Sequence, residues 1–204
     1  MKHFFAICMA VITFAACNTS VNQELQKQKE WNNEYFAAAE QAESSPQIVN
    51  DLFLGFRFGM TPNEVNQHIK KLRKEEKIHI DQSGHYYYLF HTDLGDAKMT
   101  FSPDYYHDSL YRMKYNFENG QVLSGRVIVY KAMELFDKAN ADYKSYIVQL
   151  EGLEDFDPDY YQIKHNLIVH FDLVGVCMSY DNAPVIKQIK MDKKRLQDKT
   201  LSDF

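Results

Sequence analysis

The feature that most constrains the fold is a change in the spacing of apolar residues between residues 61 and 117, from helical spacing to strand spacing. Residues 61–64 read Thr-Pro-Asn-Glu, the composition of a helix start. The threonine can cap the first amides, proline fits the first helical position, and the glutamate can reach back to the threonine. The apolar residues that follow at helical spacing are Val65, Ile69 and Leu72. The sequence therefore predicts a helix that ends near Glu76.

After this helix the period becomes two residues, which is typical of half-buried strands. Three strands are predicted, at residues 86–92, 97–101 and 109–117, with a turn at 94–96 and a loop that opens at 102–104. In the third strand one face is more apolar than the other, and this more apolar face is predicted to be buried. Its members are Ser109, Tyr111, Met113, Tyr115 and Phe117.

The same order of elements follows a second time. After a turn at 118–120, a helix is predicted from about Arg126 to Tyr146, followed by strands at 160–164, 166–172 and 175–180. One face of this helix carries Ile128, Ala132, Leu135 and Ala139. In addition, Met113-Lys114-Tyr115 resembles Met178-Ser179-Tyr180.

These patterns predict an α+β fold in which helices pack on an antiparallel sheet, arranged as two α-β-β-β repeats. The first repeat covers residues 51–120 and the second covers residues 121–190. Residues 191–204 are polar, and we expect a frayed tail or a short helix there.

The N-terminus has the features of a secretory signal. A positive start precedes an apolar run from Phe4 to Ala16. As a helix this run rises about 20 Å, which is short for a bilayer core of about 30 Å. Residues 1–16 are therefore predicted to be a signal peptide.

The end of this run, Phe14-Ala15-Ala16-Cys17, resembles the lipobox of bacterial lipoproteins. The resemblance implies that Cys17 is lipidated and becomes the mature N-terminus, although Phe14 replaces the usual aliphatic residue. The alternative is an ordinary signal peptide in which Cys17 is incidental. Residues 17–50 are then predicted to be the lipidated N-terminus and a polar tether, with at most a marginal helix.

Cysteine usage agrees with an anchoring role for Cys17. The chain has three cysteines, and removal of the signal peptide takes away Cys8. Only Cys177 then remains in the folded body, so a disulfide framework is excluded. Cys177 lies in a strand-like run and is predicted to be a small buried hydrophobe.

Composition limits the classes of partner. The net charge is −5 with both signs interspersed, and no basic stripe stands out, which argues against a nucleic-acid partner. We expect membrane attachment to come from acyl chains. Hydrophobic residues make up 45% of the chain and aromatic residues 14%, enough for a substantial core.

No pattern of catalytic or metal-binding residues is found. The histidines at 79, 85, 91, 165 and 170 do not form a ligand pair on one rigid element, and solvated or capping roles explain them. The acidic run from Asp155 to Asp159 lacks the glycine and glutamate of a calcium loop, which favours an acidic turn. Nucleophile motifs and phosphate-binding loops are absent from the sequence. No metal or cofactor is predicted.

The tyrosines are the remaining candidates for a site. Tyr86, Tyr87 and Tyr88 cannot all face inward on one strand, so one face must display tyrosine. Tyr105 and Tyr106 are predicted to lie in a loop. Because tyrosine is favoured at interfaces, Tyr87, Tyr105 and Tyr106 are candidate binding residues. The alternative is that they pack against loops and the facing helix.

Residues 58–65, Phe-Gly-Met-Thr-Pro-Asn-Glu-Val, resemble the helix start of small α/β modules in exported bacterial lipoproteins. Examples are the BamE/SmpA-type outer-membrane assembly lipoproteins and the β-lactamase inhibitor protein fold, which repeats a helix-plus-antiparallel-sheet unit twice. The resemblance implies a binding or assembly module on an antiparallel sheet, over about residues 52–190. It carries no functional residue over.

The leading functional hypothesis is a membrane-anchored, non-enzymatic envelope lipoprotein that binds a protein or peptide through its sheet. The alternative is an envelope enzyme or small-ligand binder that acts on a glycan or lipid. Asn18 follows Cys17 where an aspartate retains many lipoproteins in the inner membrane. The chain is therefore expected at the outer membrane, facing the periplasm.

Overall fold

The computed structural model describes residues 25–118, 124–149 and 158–202. The helices in this part of the chain are α1 (residues 25–43), α2 (Pro62–Lys74), α3 (Gly125–Ala139) and α4 (Ala183–Ser202), with a 3₁₀ turn at Phe53–Gly55. The strands are β1 (His79–Ile80), β2 (Tyr86–Thr92), β3 (Gly95–Tyr106), β4 (Ser109–Glu118), β5 (Lys144–Val148), β6 (Asp159–Lys164), β7 (Leu167–Asp172) and β8 (Cys177–Asn182). The predicted signal peptide, Cys17, positions 119–120 of the predicted turn and residues 155–157 of the acidic run lie outside the described residues.

The strands form one antiparallel sheet in the order β1-β2-β3-β4-β8-β7-β6-β5. Helix α2 precedes the first four strands along the chain and α3 precedes the other four. The predicted α+β fold, with helices packed on an antiparallel sheet, is confirmed. Each helix is followed by four strands, however, because β1 and β5 join the three that the sequence pattern predicts.

The sequence pattern does not predict strand β5, because α3 ends earlier than its apolar residues indicate. The helix stops at Ala139 rather than near Tyr146, and both the backbone amide and the side-chain amide of Asn140 donate to the carbonyl of Phe136. Asparagine favours such a position because its short polar side chain competes for backbone groups. Residues 144–148 then leave the helix and pair with β6.

The predicted loop at residues 102–104 lies within β3. Pro103 is paired with Met113 of β4, although proline is rare inside sheets. Strand β2 pairs with β3 only as far as Thr100, so the missing amide of Pro103 lies where β3 has no strand on that side among the described residues. Proline is tolerated at such an edge.

A β-bulge changes which side of β4 is buried. Met113, Tyr115 and Phe117 are buried as predicted. The register shifts between Asp104 and Tyr105 of β3, so that Tyr105 pairs with Leu110. Leu110 is therefore in the core, and Tyr111 is only partly buried. A bulge adds one residue to one strand and so redirects the side chains beyond it.

The main core lies between α2, α3 and one side of the sheet, here called the inner face. Fully buried residues from all three layers form one cluster, including Val65, Ile128, Met99, Tyr115 and Phe171. The hydroxyl of Tyr115 donates to the carbonyl of Phe53 at 3.0 Å, which satisfies a polar group that burial would otherwise penalise.

The face of α3 that enters this core is rotated relative to the predicted stripe. Ile128, Val129, Ala132 and Phe136 are buried, while Leu135 is 43% exposed and Ala139 is exposed. Buried positions recur three and four residues apart, as expected for one helix face. The last two members of the predicted stripe lie at the margin of the core.

The predicted start of α2 is confirmed. The Glu64 amide donates to the Thr61 hydroxyl oxygen at 3.3 Å, and the Thr61 amide donates to the Glu64 carboxylate at 2.8 Å. This is the reciprocal capping box that the sequence predicts. Two residues upstream, Gly59 has φ = +84°, which explains a glycine at this point because other residues are strained there.

Helix α1 corrects the prediction of a polar tether over residues 17–50. It packs on the outer face of the sheet, the side opposite α2 and α3. There Ala42 joins Tyr146, Ile163, Ile168 and Ala183 in a second buried cluster. The ring of Tyr35 in α1 lies 4.2 Å from that of Tyr161 in β6. From residue 25 onward the segment is therefore part of the folded domain.

Two asparagines attach the α1 segment to distant backbone. Asn32 in α1 donates to the carbonyl of Gln149 at 2.7 Å and accepts from its amide at 3.0 Å. Asn166, between β6 and β7, makes the same pair of bonds with Val49. Asn166 is 1% exposed, so these bonds satisfy groups that water cannot reach.

Residues 191–202 are also more ordered than a frayed tail, because they continue α4. The Tyr106 hydroxyl donates to Asp192, and Lys187 and Lys190 lie 3.7 and 3.5 Å from the carboxylate of Glu43 at the end of α1. Helix α4 is therefore linked to both the β3–β4 hairpin and α1.

We expect Asn166→Ala to lower the free energy of unfolding by about 1–3 kcal/mol, because it leaves the backbone groups of Val49 without their partner. Urea denaturation measures the change. Asn66→Ala, at an exposed position of α2, is the control and should change stability by less than about 0.5 kcal/mol. Equal effects of the two substitutions would contradict the role of Asn166.

The α1 contact also predicts a dependence on alkaline pH. Burial raises the pKa of the Tyr35 hydroxyl to about 12, above its ordinary value of about 10. A raised pKa means that the contribution to stability is complete below pH 10 and is lost as the pH rises towards 12. In an absorbance titration, Tyr35→Phe should remove one tyrosine that ionises above the normal range. Removal of a tyrosine that ionises near pH 10 would contradict this placement.

Candidate functional site

Within the described residues, the outer face of β1–β4 carries no buried side chain, and it is here called the open face. Antiparallel partners share a face, and Tyr87, Thr100, Asn116 and Cys177 follow one another across β2, β3, β4 and β8. Side chains on the open face come from every second position of the four strands. They are His79, Tyr87, Leu89, His91, Asp96, Lys98, Thr100, Ser102, Asp104, Arg112, Lys114, Asn116 and Glu118.

The two halves of the outer face differ in burial. On β5–β8, under α1, the outward residues Tyr146, Val148, Ile163 and Ile168 are buried. On the open face every outward residue is exposed or partly exposed. The outward side chains of β5–β8 are thus covered by α1, whereas the outward side chains of β1–β4 face solvent.

Tyr87 is the main aromatic side chain of the open face. Its neighbours on β2, Tyr86 and Tyr88, pack against the main core. The ring of His79 lies 5.5 Å from the Tyr87 ring, and the Lys98 ammonium lies 5.0 Å from its centroid. A cation at this distance is attracted to the ring. Tyr87 is therefore held on the surface by a histidine on one strand and a lysine on the other.

Charges on the open face are separated by position. Lys98 is opposite Glu118 towards one end of the face, and Lys114 is opposite Ser102 towards the other. Within the described residues neither lysine has a carboxylate within 4.0 Å of its ammonium group. The other acidic residues of the face are Asp96, on the side of Lys98, and Asp104, on the side of Lys114. Lys98 and Lys114 are therefore suited to a ligand that brings its own negative charge.

Arg112 links the open face to the middle of the sheet. Its guanidinium donates to both carboxylate oxygens of Asp181 on β8, at 2.5 and 3.2 Å, and lies 4.0 Å from Asp104. The hydrogen bond to Asp181 raises the pKa of Arg112. Asp181 has an 11% exposed side chain, and a two-bond pair of this kind fixes geometry as well as charge.

The other two predicted tyrosines lie at the end of β3, beyond Asp104. Tyr105 is at the end of β3 and packs against the main core, and burial raises its pKa. Tyr106 donates to Asp192 of α4, and this hydrogen bond raises its pKa. The structure thus places Tyr87 on an accessible sheet surface and gives Tyr105 and Tyr106 packing and linking contacts.

The histidines are dispersed, and two of them lie within hydrogen-bond distance of a carboxylate. His91 lies 2.7 Å from Asp96, and His170 lies 3.1 Å from Asp159 while stacking on Tyr161. In the described part of the chain, no group of three or more histidine, cysteine or carboxylate side chains is arranged to hold a metal ion.

Sequence reasoning missed Lys98 and Arg112. Lys98 had a usable signal, because it alternates with Ala97 and Met99 on a predicted strand and must face away from the core. Arg112 had none, because its partner Asp181 is distant in the chain and meets it only through the pairing of β4 with β8.

Comparisons with known protein families, with characterised proteins and with solved structures find no match. Of the helices in the described residues, none combines the length and the apolar composition needed to cross a bilayer.

Some side chains of the open face should contribute to stability and others should not. We expect Arg112→Ala to lower the free energy of unfolding by about 2 kcal/mol, because it removes a charged hydrogen-bond pair from a poorly exposed carboxylate. Lys114→Ala, on the same strand and face, should cost less than about 0.5 kcal/mol. Urea denaturation of the two variants tests the difference. A harmless Arg112→Ala would contradict the role given to this pair.

Proposed function

We propose that this protein is a lipid-anchored, non-enzymatic envelope lipoprotein that binds a partner protein through the open face. The observation that carries the proposal is the unequal covering of one sheet surface. Helix α1 buries the outer face of β5–β8, whereas the outer face of β1–β4 presents its side chains to solvent.

The composition of the open face supports a protein partner. Tyrosine and arginine dominate the energetics of many interfaces, and Tyr87 lies beside Leu89 of the same strand and Lys98 of the neighbouring strand β3. The partner would contribute an apolar or aromatic side chain against Tyr87. It would also place a carboxylate near Lys98 and Lys114, where this chain supplies none among the described residues.

The lipid anchor at Cys17 remains part of the proposal. Its support is the Ala-Ala-Cys sequence after an apolar run. Because α1 is folded from residue 25, the chain between Cys17 and α1 can span at most about 28 Å. The domain would therefore act close to the bilayer, at the periplasmic side of the outer membrane.

We also propose that the sheet derives from two related helix-plus-strand units. The strand order runs 1-2-3-4 in one half and 8-7-6-5 in the other. The two similar segments pair with each other, so that Met113 is opposite Tyr180 and Tyr115 is opposite Met178. This arrangement supports a duplication whose first half kept its outer face open.

The binding proposal is tested by a photo-crosslinking amino acid introduced at Thr100, in the middle of the open face. The matched control is the same amino acid at Val174, which is 66% exposed on a turn. In intact envelopes we expect a discrete crosslinked protein from position 100 and none from position 174. Lys98→Glu should reduce this crosslink roughly tenfold or more, by like-charge repulsion. Equal products from both positions, or insensitivity to Lys98→Glu, would overturn the proposal.

The anchor is tested separately by labelling cells with a radioactive or clickable fatty acid. We expect the wild-type protein to be labelled and Cys17→Ser to lose both label and membrane association. Cys177→Ser is the control, because Cys177 is 3% exposed in the sheet and should keep the label. A labelled Cys17→Ser protein would contradict the anchor without bearing on the open face.

A further inference from the structure

Strand β5 is the edge of the sheet that is best able to accept another strand. It ends the strand order and pairs with β6 alone among the described strands. The opposite edge, β1, is two residues long, and the unpaired part of β3 contains Pro103 and the bulge. Short strands, prolines and bulges protect sheet edges from further pairing. Strand β5 has five residues with neither a proline nor a bulge, and its one lysine is at its first position.

Pro158 determines which backbone groups of β5 point away from β6. In an antiparallel pair, opposite residues that exchange two hydrogen bonds alternate with opposite residues that exchange none. Val148 is opposite Asp159. If these two exchanged no bonds, the next bond along the ladder would have to come from the amide of residue 158, and proline has no amide hydrogen. The backbone groups of Val148 therefore point towards β6.

By alternation, the backbone groups of Ser145, Ile147 and Gln149 point outward from the sheet edge. The side-chain amide of Asn32 in α1 binds both groups of Gln149, as a neighbouring strand would. In the part of the chain that the structure describes, no hydrogen bond engages the outward groups of Ser145 and Ile147. Two amides and two carbonyls are thus available in a row. An extended peptide can satisfy such a row by adding a strand to the sheet.

A groove of about 280 Å³ lies along this edge, between β5 and α1. Trp31 and Glu34 of α1 line it together with Ser145, Tyr146 and Ile147. Trp31 is 46% exposed, and among the described residues no basic group lies within 4.0 Å of the Glu34 carboxylate. Because cations are attracted to the face of tryptophan, an exposed indole and an unpaired carboxylate in one groove suit an arginine or lysine side chain.

We propose that β5 binds an extended segment of a partner protein, which adds antiparallel to β5 and places an arginine or lysine opposite Tyr146. Side chains alternate between the faces of a strand, and Tyr146 is on the outer face beneath α1. The residue opposite it therefore points towards Trp31 and Glu34. The residues on either side of it make the backbone bonds to Ser145 and Ile147. This edge is at the other end of the sheet from the open face, so the inference does not depend on the role proposed for that face.

Trp31 is the single tryptophan of the chain, so its fluorescence reports directly on the groove. The probe is the peptide acetyl-Val-Thr-Arg-Thr-Val-amide, added to the purified full-length protein. We expect a saturable blue shift of the Trp31 emission. N-methylation of both threonines removes the amide hydrogens that face β5 and should abolish the shift, whereas N-methylation of the arginine, whose amide faces away, should have little effect. An absent shift, or equal shifts with the two methylated peptides, would overturn the proposal.

A charge reversal tests the cation. Glu34→Lys should weaken binding of the arginine peptide roughly tenfold or more by like-charge repulsion. It should leave a peptide with norleucine in place of arginine nearly unaffected. The matched control is Glu40→Lys, at an exposed position of the same helix outside the groove, which should change neither affinity. Equal effects of the two substitutions, or equal affinity of the wild-type protein for both peptides, would overturn the assignment of a cation to Glu34.

A second copy of this chain is the other possible occupant of the edge. The same fluorescence measurement distinguishes it, with the protein concentrated in the absence of peptide. We expect the Trp31 emission to stay unchanged with concentration. A blue shift that grows with protein concentration would assign the edge to pairing between two copies and overturn the proposal of a partner segment.

Discussion

The pairing of β4 with β8 is the contact on which the rest of the structure depends. It joins two four-stranded halves that have no other direct strand contact in the described chain. Tyr115 and Tyr180 meet across it, with ring centroids 5.5 Å apart on the inner face. Because aromatic pairs of this geometry add to the energy of burial, the junction is also the centre of the core.

This junction determines what each side of the sheet can do. It places α2 and α3 on the inner face, where their apolar sides share one core. On the outer face, among the described residues, α1 contacts β5–β8 through Tyr35 and Ala42, and α4 is linked to α1 and to Tyr106 at the end of β3. A surface with alternating polar side chains then remains on β1–β4.

The sequence could predict those features of the structure that depend on residues close together in the chain. The start of α2 depends on bonds between residues three apart, and the exposure of Tyr87 follows from strand alternation, so both were predictable. Contacts between distant segments were not. The docking of α1 depends on Asn32 and Gln149, and the position of Tyr105 depends on a bulge opposite it. Nothing in the local pattern of either segment specifies these partners.

The proposed role of the open face is tested most directly by lysine footprinting of the unmodified protein, in intact envelopes and after purification. An amine-reactive reagent and mass spectrometry give the reactivity of each lysine in both states. We expect Lys98 and Lys114 to react less in envelopes, because a bound partner covers them. Lys71 and Lys190, with side chains 67% and 70% exposed away from this face, should react equally in both. Unchanged reactivity of Lys98 and Lys114 would contradict a protein-binding role for the open face.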